Sequence, residues 1–200
     1  MLLETDEPRP GLRERKKAKT RLAIQEQALR LFREQGYPAT TVDQIAEAAE
    51  VSPSTFFRYF PTKEDVVLYD AFDPAIIEAI RAQPANISPI SAIRTGIRLG
   101  LGQAPRDQLA QQDERAALIL SVPEVRMRML DEFARTTLLF SEVIAERVGR
   151  KPDDIAVRAL VGAVMGVGLA IWFSDAGALT DDYLTSLDRG LAQLEAGLPL

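Results

Sequence analysis

The fold of this chain is decided by residues 41–60, which read TVDQIAEAAEVSPSTFFRYF. Thr41 and Gln44 have the spacing of a capping box, in which a hydroxyl and an amide satisfy free N–H groups at a helix start. Ser52 followed by Pro53 predicts a second helix start, because these residue types are favoured at the N-cap and at the first helical position. Two short helices joined by a tight turn are therefore predicted, with the spacing of a helix-turn-helix.

The segment before this motif, residues 12–35, is predicted to form a supporting helix. Its apolar side chains recur every three or four residues, which places them on one helical face. These residues are Ile24, Ala28, Leu31 and Phe32. We therefore expect a three-helix domain over residues 12–62, preceded by a flexible tail at residues 1–11, where no apolar periodicity is present.

The second motif helix has two different faces. Phe56 and Phe60 are four residues apart, so both can point into the three-helix core. Phe57 then points outward, where an aromatic ring has no use on a solvated helix but can contact a thymine methyl group in the major groove of DNA. Tyr59 offers a hydroxyl to a phosphate. Each residue alone is compatible with a purely structural role, but together they favour DNA binding.

Charge is distributed unevenly along the chain. The formal net charge is −5, which taken alone argues against a nucleic-acid partner. Residues 1–63, however, contain 11 Lys and Arg against 9 Asp and Glu, whereas the remaining 137 residues contain 13 against 20. Eight basic residues lie within residues 13–33. Such an asymmetry is typical of an interaction arm, so the location of the charge supports DNA binding.

The composition excludes several kinds of active site. The chain contains no Cys and no His, so it has no disulfide, no thiolate or imidazole metal ligand and no His-based catalytic triad. Paired acids occur at residues 153–154 and 181–182, but each pair lies at a predicted helix start, where acids are ordinary. We expect neither an enzyme nor a cofactor. An enzyme that works with carboxylates and a helical adaptor that ignores DNA stay open as alternatives.

Beyond residue 62 the sequence predicts an all-α domain with about six helices, which gives about nine in the whole chain. Their expected spans are 63–82, 88–103, 106–120, 123–148, 152–175 and 180–196. The most apolar run, residues 159–173, is shorter than the about 20 residues that span a membrane, so a buried helix and no membrane partner are expected.

Three residues of this apolar helix are predicted to form a homodimer face. Gly162 and Gly166 are four residues apart, which lets another helix approach closely, and Leu169 follows one turn later. The alternative is a tightly packed internal helix. We favour the dimer, because a two-fold symmetric protein matches a palindromic operator.

Two segments, residues 28–37 (ALRLFREQGY) and residues 40–64 (TTVDQIAEAAEVSPSTFFRYFPTKE), resemble the TetR-type regulators. The resemblance is specific over about residues 18–78. It departs from the family at Glu50, where glycine is usual and where a positive φ would be uncommon for another residue. The resemblance implies that residues 52–59 form the recognition helix. The expected DNA-binding residues are Thr40, Thr41, Ser52, Ser54, Thr55, Phe57, Tyr59 and Lys63.

The same resemblance implies a dimeric, cytoplasmic transcriptional regulator. We expect a repressor that a mostly apolar inducer releases from its palindromic operator, although activation would use the same DNA contacts. The inducer cavity is expected between the helices of residues 63–200. Its candidate lining residues are Phe72, Ile76, Ile97, Leu101, Leu118, Met127, Leu130, Phe133 and Trp172. Four arginines, at positions 94, 98, 126 and 128, are candidates for an anionic ligand, but surface solvation is the commoner role.

Overall fold

The computed structural model describes residues 12–70, 72–102, 106–174 and 181–199. The predicted flexible tail at residues 1–11 lies outside them. The described residues form ten α-helices and contain no β-strand, so the all-α prediction is confirmed. The chain divides into two compact units, residues 1–66 and residues 67–200. The division falls a few residues after the domain boundary predicted at residue 62.

The first unit is built by α1 (Leu12–Gln35), α2 (Val42–Ala48) and α3 (Pro53–Tyr59), and α4 (Lys63–Leu68) crosses the division. Helix α1 packs against α2, and α2 packs against α3. The side chains between them form an apolar core. Its buried members are Ile24, Ala28, Leu29, Phe32, Tyr37, Ile45, Ala46, Phe56, Phe60 and Val66. The prediction that Phe56 and Phe60 face inward is confirmed.

Side-chain caps fix where α2 and α3 begin. The Thr41 hydroxyl accepts the Gln44 N–H at 3.2 Å, and the Gln44 amide oxygen accepts the Thr41 N–H at 2.9 Å. At the start of α3 the Ser52 hydroxyl accepts the Thr55 N–H at 3.1 Å, with Pro53 in the first turn. Each cap contributes about 1 kcal/mol to helix stability. The two helix starts predicted from the sequence are therefore confirmed.

Glu50 forms the left-handed turn between these helices. Its φ is 53°, its N–H donates to the Glu47 carbonyl at 3.0 Å, and the Val51 N–H donates to the Ala46 carbonyl at 2.9 Å. This pattern is a Schellman motif, in which glycine is preferred at the left-handed position. The turn therefore has the geometry that the TetR-type glycine would give, and Glu50 adopts it at a steric cost.

Replacing Glu50 by glycine is expected to stabilise the protein by about 0.5–1 kcal/mol, because relief of left-handed strain exceeds the added chain entropy. Urea denaturation measures the free energy of unfolding. The matched control is Glu47→Gly at an exposed position in the last turn of α2, which is expected to destabilise by about 1 kcal/mol. A loss of stability in Glu50→Gly would show that the turn carries no strain.

The second unit consists of six helices besides the end of α4. They are α5 (Asp73–Arg81), α6 (Pro89–Gly102), α7 (Arg106–Ser121), α8 (Pro123–Val148), α9 (Ile155–Ser174) and α10 (Asp181–Glu195). Helix α5 packs on α6, while α8 packs on both α7 and α9, and α10 packs on α6 and α9. Their shared core includes Ile80, Ile93, Ile144, Val161 and Leu191.

The single helix predicted over residues 63–82 is wrong. Helix α4 ends at Leu68 and α5 begins at Asp73. Pro74 in the first turn of α5 has no N–H to continue a helical ladder, and the Asp70 carboxylate accepts the Phe72 N–H at 2.8 Å instead. This break raises the number of helices in the described part of the chain to ten, against the expected nine.

Helix α6 approaches α5 through two glycines. A Cβ on Gly100 would lie 2.9 Å from the Ile76 Cα, and one on Gly96 would lie 2.3 Å from the Ile80 side chain. Real Cβ atoms do not tolerate such distances. The close α5–α6 contact therefore depends on these glycines, which share the four-residue spacing noted above for α9.

Most of α9 is not buried within one chain, so the core of a single subunit does not account for its apolar sequence. Only 17% of its most apolar window is buried, although its length and composition alone would allow it to cross a membrane. One side packs into the core through Val157, Val161 and Val164. The other side is an exposed row of apolar and small residues, called here the α9 stripe. It comprises Ile155, Ala159, Gly162, Gly166, Ala170 and Phe173.

Candidate nucleic-acid interface and ligand cavity

The exposed face of α3 combines an aromatic ring with hydroxyl groups. Phe57 is 52% exposed, and its ring packs edge-on against the fully buried Phe56 with centroids 5.5 Å apart. The buried ring therefore orients the exposed one. Near the start of the helix, the Ser52 hydroxyl lies 2.9 Å from that of Ser54 and 3.0 Å from that of Thr55. This face offers one apolar contact and several donors or acceptors to a groove.

Thr40 does not lie where a DNA contact requires it. Its side chain is buried, its hydroxyl donates to the Gly36 carbonyl at 2.9 Å and accepts from the Gln35 amide at 3.2 Å. The expectation that the Thr40 side chain binds DNA is therefore wrong, because its hydroxyl is used to fix the turn between α1 and α2. Thr41, one residue later, is exposed at the start of α2.

Lys63 is held on the same turn. Its ammonium group donates to the carbonyls of Tyr37 and Thr40 at 2.9 and 3.0 Å and lies 4.0 Å from the Tyr37 ring centroid. The residue is partly exposed. Its charge is thus fixed in position near the start of α2, where it adds to the positive end of the helix dipole.

A basic groove lies between the start of α1 and the end of α3. Its volume is about 820 Å³. The lining residues are Leu12, Arg13, Lys16, Lys17, Arg58 and Tyr59. Arg58 lies 5.4 Å from the Tyr59 ring centroid. The sequence-based prediction does not include Arg58, although a basic residue in the last turn of a recognition helix is a usable signal.

The second unit contains a cavity with two adjoining lobes of about 250 and 270 Å³. The two lobes share eight lining residues, so one wall is common to both. The shared residues are Asp70, Asp73, Phe133, Thr136, Met165, Leu169, Trp172 and Tyr183. Five of the residues proposed from the sequence line this space. They are Ile76, Ile97, Leu101, Phe133 and Trp172.

Several residues predicted for the cavity or the dimer face lie elsewhere. Met127 and Leu130 are 75% and 67% exposed, because α8 faces the cavity through other residues, which include Phe133 and Phe140. Phe72 is buried in the core, and Leu118 is not among the lining residues. Leu169, expected in the dimer face, lines the cavity instead because it lies on the inner side of α9.

One end of the cavity is polar, although the lining residues predicted from the sequence are all apolar. Arg115 is buried there and donates from Nε to the Val67 carbonyl at 2.6 Å and from Nη2 to the Leu68 carbonyl at 3.1 Å. A third N–H group donates to the side-chain oxygen of Gln112. The buried Arg115 guanidinium therefore links this end of the cavity to the last backbone carbonyls of α4.

Three carboxyl groups line the same end. They belong to Asp70, Asp73 and Glu132. Burial, helped by the charges of Asp70 and Glu132, raises the pKa of Asp73 to about 7, and Arg115 opposes this rise. Asp73 is therefore close to half-protonated at neutral pH, while a neighbouring positive charge would keep it ionised.

The four arginines considered for an anionic ligand do not line this cavity. Arg94 pairs with Asp188 and Glu195, both at 2.9 Å, and Arg128 pairs with Asp131 at 2.8 Å. Arg126 donates to the Leu120 carbonyl at 3.1 Å, and Arg98 lines a separate surface depression. These four arginine side chains therefore lie at the surface of the second unit and not in its cavity.

The acidic pair at residues 153–154 caps a helix. The Asp154 carboxylate accepts the Ala156 N–H at 2.8 Å and pairs with Arg150 at 3.0 Å. The side chains of residues 181–182 lie outside the described part of the chain. Among the residues that are described, no group of three or more carboxylates is placed to hold a metal ion.

Known proteins match this chain along nearly its whole length. Residues 24–69 match the family of bacterial regulatory proteins, tetR family, and residues 87–199 match the MftR C-terminal domain. The HTH-type transcriptional regulator TcmR of Streptomyces glaucescens is 35% identical, over 92% of each chain. The putative mycofactocin biosynthesis transcriptional regulator MftR of Mycobacterium tuberculosis is 24% identical, over 79% of this chain and 80% of its own.

A solved structure shares the fold. Thermus thermophilus FadR, a TetR-family transcriptional repressor crystallised with lauroyl-CoA, aligns with a TM-score of 0.55 and 26% identity. The alignment covers 90% of this chain and 95% of FadR.

Proposed function

Because the chain belongs to the TetR family of helix-turn-helix transcriptional regulators, we propose that it is a repressor that grips a palindromic operator as a homodimer. A small, mostly apolar molecule in the cavity of the second unit releases it. The chain is a DNA-binding regulator and not an enzyme, and it acts in the cytoplasm. The observation that carries the proposal is the exposed face of α3.

This face matches what a major groove offers. Ser54, Thr55 and Phe57 lie toward base edges, where hydroxyls exchange hydrogen bonds and an aromatic ring contacts a thymine methyl group. Tyr59 and Thr41 lie at the flanks, toward phosphates. Ser52 caps the helix and keeps its hydroxyl exposed.

Phosphate contacts also come from the basic groove. Arg13, Lys16, Lys17 and Arg58 place four positive charges beside the end of α3. Neutralising phosphates releases counterions and supplies affinity that does not depend on sequence. The exposed face of α3 then determines which DNA sequence is bound, and the basic groove adds affinity for DNA of any sequence.

The α9 stripe supports a homodimer. Nothing lies within 4 Å of a Cβ built on Gly162 or Gly166, so the surface of a single chain is open at these positions. Contiguous apolar surface of this kind marks an interaction site in soluble proteins. A second copy of α9 packed across the glycines covers both stripes by the same two-fold symmetry that a palindromic operator requires.

The link between cavity and DNA runs through α4. In the first unit, the Gln25 amide donates to the Val66 carbonyl at 2.8 Å. In the second unit, Arg115 holds the next two carbonyls, those of Val67 and Leu68. A ligand that moves Arg115 therefore changes how the end of α4 is held. It shifts the dimer toward a state in which the two recognition helices no longer match the operator.

Selection from random DNA with the purified full chain tests this proposal. We expect enrichment of an inverted repeat whose half-sites lie about one helical turn apart. Enrichment of no sequence, or of a single unpaired half-site, would contradict the dimeric DNA-binding function.

A further inference from the structure

The cavity of the second unit has an apolar part that fixes the general nature of its occupant. One lobe is lined mainly by aliphatic and aromatic side chains. They include Ile76, Ile97, Leu101, Phe140, Val164 and Leu187. Burying apolar ligand surface against such a wall is favourable in proportion to the area removed from water. The occupant therefore has an apolar body.

The other lobe carries an excess of negative charge. Asp70 and Asp73 line both lobes, Glu132 lines only this one, and the one cationic side chain among its lining residues is Arg115. Arg115 directs its hydrogen bonds to two backbone carbonyls and the Gln112 amide, which are neutral acceptors. Glu132 is ion-paired with Arg135, whereas no salt bridge to Asp70 or Asp73 is found among the described residues. Partial burial strengthens the field of these two carboxyl groups.

We propose that this cavity binds an amphiphilic cation, with its apolar body in the aliphatic lobe and its amine or similar group against Asp70 and Asp73. The inference deepens the proposed function, since it assigns a ligand class to the same inducer cavity. A cation here gains Coulomb energy from the carboxylates and can also contact the face of Trp172. An anionic head group in the same place meets repulsion from the Asp70 and Asp73 carboxyl groups.

A bound cation also acts on the link to α4. Its charge lies near that of Arg115, and two like charges in a partly buried space repel each other. The bound cation further screens the carboxylates, whose negative charges favour the charged form of Arg115. The hold of Arg115 on the Val67 and Leu68 carbonyls is thereby weakened. A cationic ligand thus supplies the force for release, which a neutral molecule of the same shape lacks.

Trp172 gives a direct readout of binding. It is the single tryptophan of the chain and lines both lobes of the cavity. The full-length protein is titrated at pH 8 with decylamine, decanol and decanoate, and tryptophan fluorescence is followed. We expect decylamine to bind about tenfold or more tightly than decanol, and decanoate most weakly of the three. Equal affinities, tighter binding of decanoate or binding of none of the probes would overturn the proposal.

Variants assign the preference to particular carboxyl groups. Asp70→Asn and Asp73→Asn are each expected to weaken decylamine binding about tenfold and to leave decanol binding unchanged. Asp73→Asn removes a buried charge, so it is expected to fold at pH 8. The matched control is Asp131→Asn, which changes the charge equally on the exposed side of α8. An equal loss of affinity in the control, or no loss in either cavity variant, would contradict the assignment.

The pH dependence gives a second readout. Burial, Asp70 and Glu132 raise the pKa of Asp73 to about 7, whereas Arg115 lowers it, and Tyr183 also lines this part of the cavity. Between pH 8 and pH 6 decylamine stays charged while Asp73 gains a proton. Decylamine affinity is therefore expected to fall as the pH is lowered, and decanol affinity to stay constant. An unchanged or rising decylamine affinity would count against the proposal.

The proposed ligand class and the proposed DNA-binding function are tested independently. Fluorescence titration without DNA tests the cation preference, whereas operator binding without ligand tests the DNA-binding function. If the operator is bound but no preference for decylamine is found, the ligand class is wrong and the regulator assignment stands. If decylamine is preferred but no DNA sequence is selected, the ligand class stands and the DNA-binding function is wrong.

Discussion

Replacing Phe57 by alanine is expected to weaken binding to the selected operator about 10- to 100-fold while leaving the protein folded. The ring is half exposed and supported by the buried Phe56, so its loss removes a groove contact without opening the core. A good base-edge contact contributes about 1–3 kcal/mol of discrimination, which corresponds to about 5- to 150-fold in affinity and brackets the expected loss. Electrophoretic mobility shift with the operator and with a scrambled duplex measures the effect.

The neighbouring residue provides a sharp comparison. Phe56→Ala opens a cavity in the core of the first unit and is expected to destabilise it by about 3–5 kcal/mol. Thermal unfolding therefore separates the two variants, since Phe57→Ala keeps its melting temperature and Phe56→Ala does not. If Phe57→Ala binds the operator as tightly as the unmodified protein, α3 does not read bases through this ring, and an adaptor becomes the better interpretation.

Placing arginine at Gly166 is expected to separate the homodimer into monomers and to lower operator affinity by about 100-fold or more. The position lies in the middle of the α9 stripe, where a long charged side chain blocks close approach of a second helix and leaves a charge in an apolar contact. A monomer engages one half-site and loses the gain from simultaneous binding of both. Sedimentation measures the mass, and mobility shift measures the DNA affinity.

The fold of a single chain tolerates this change, because nothing lies within 4 Å of a Cβ at Gly166. The matched control is Ala85→Arg, at an exposed position after α5, which adds the same side chain and is expected to stay dimeric. A dimer that survives Gly166→Arg would move the interface away from the α9 stripe.

Local signals account for what could be predicted from the sequence. The capping box at Thr41, the N-cap at Ser52 and the aromatic spacing from Phe56 to Phe60 each depend on residues within one or two helical turns. The structure contains all three, and Glu50 adopts the left-handed turn that its place in the pattern requires. Such features need no knowledge of distant partners, so the helix-turn-helix was predictable in detail.

The features that were not predicted depend on distant contacts. Helix α8 is apolar on more than one side, so its sequence does not show that Phe133 faces the cavity and that Leu130 does not. Arg115 looks like an ordinary helical arginine until the fold brings it to carbonyls 47 and 48 residues away. The polar end of the cavity therefore required the tertiary structure. Pro74 is a local signal for the end of a helix. The helical spacing of apolar residues on both sides of it nevertheless favoured a single continuous helix.

Helix α3 reads a specific DNA sequence as part of a dimer, and quantitative DNA titration tests this reading most directly. The purified full chain is titrated onto the selected operator, a single half-site and a scrambled duplex over a range of salt concentrations. We predict that the operator is bound about 10³-fold or more tightly than the scrambled duplex, with the half-site far weaker, and that affinity for every duplex falls steeply with salt. Equal affinity for the operator and the scrambled duplex would contradict the account.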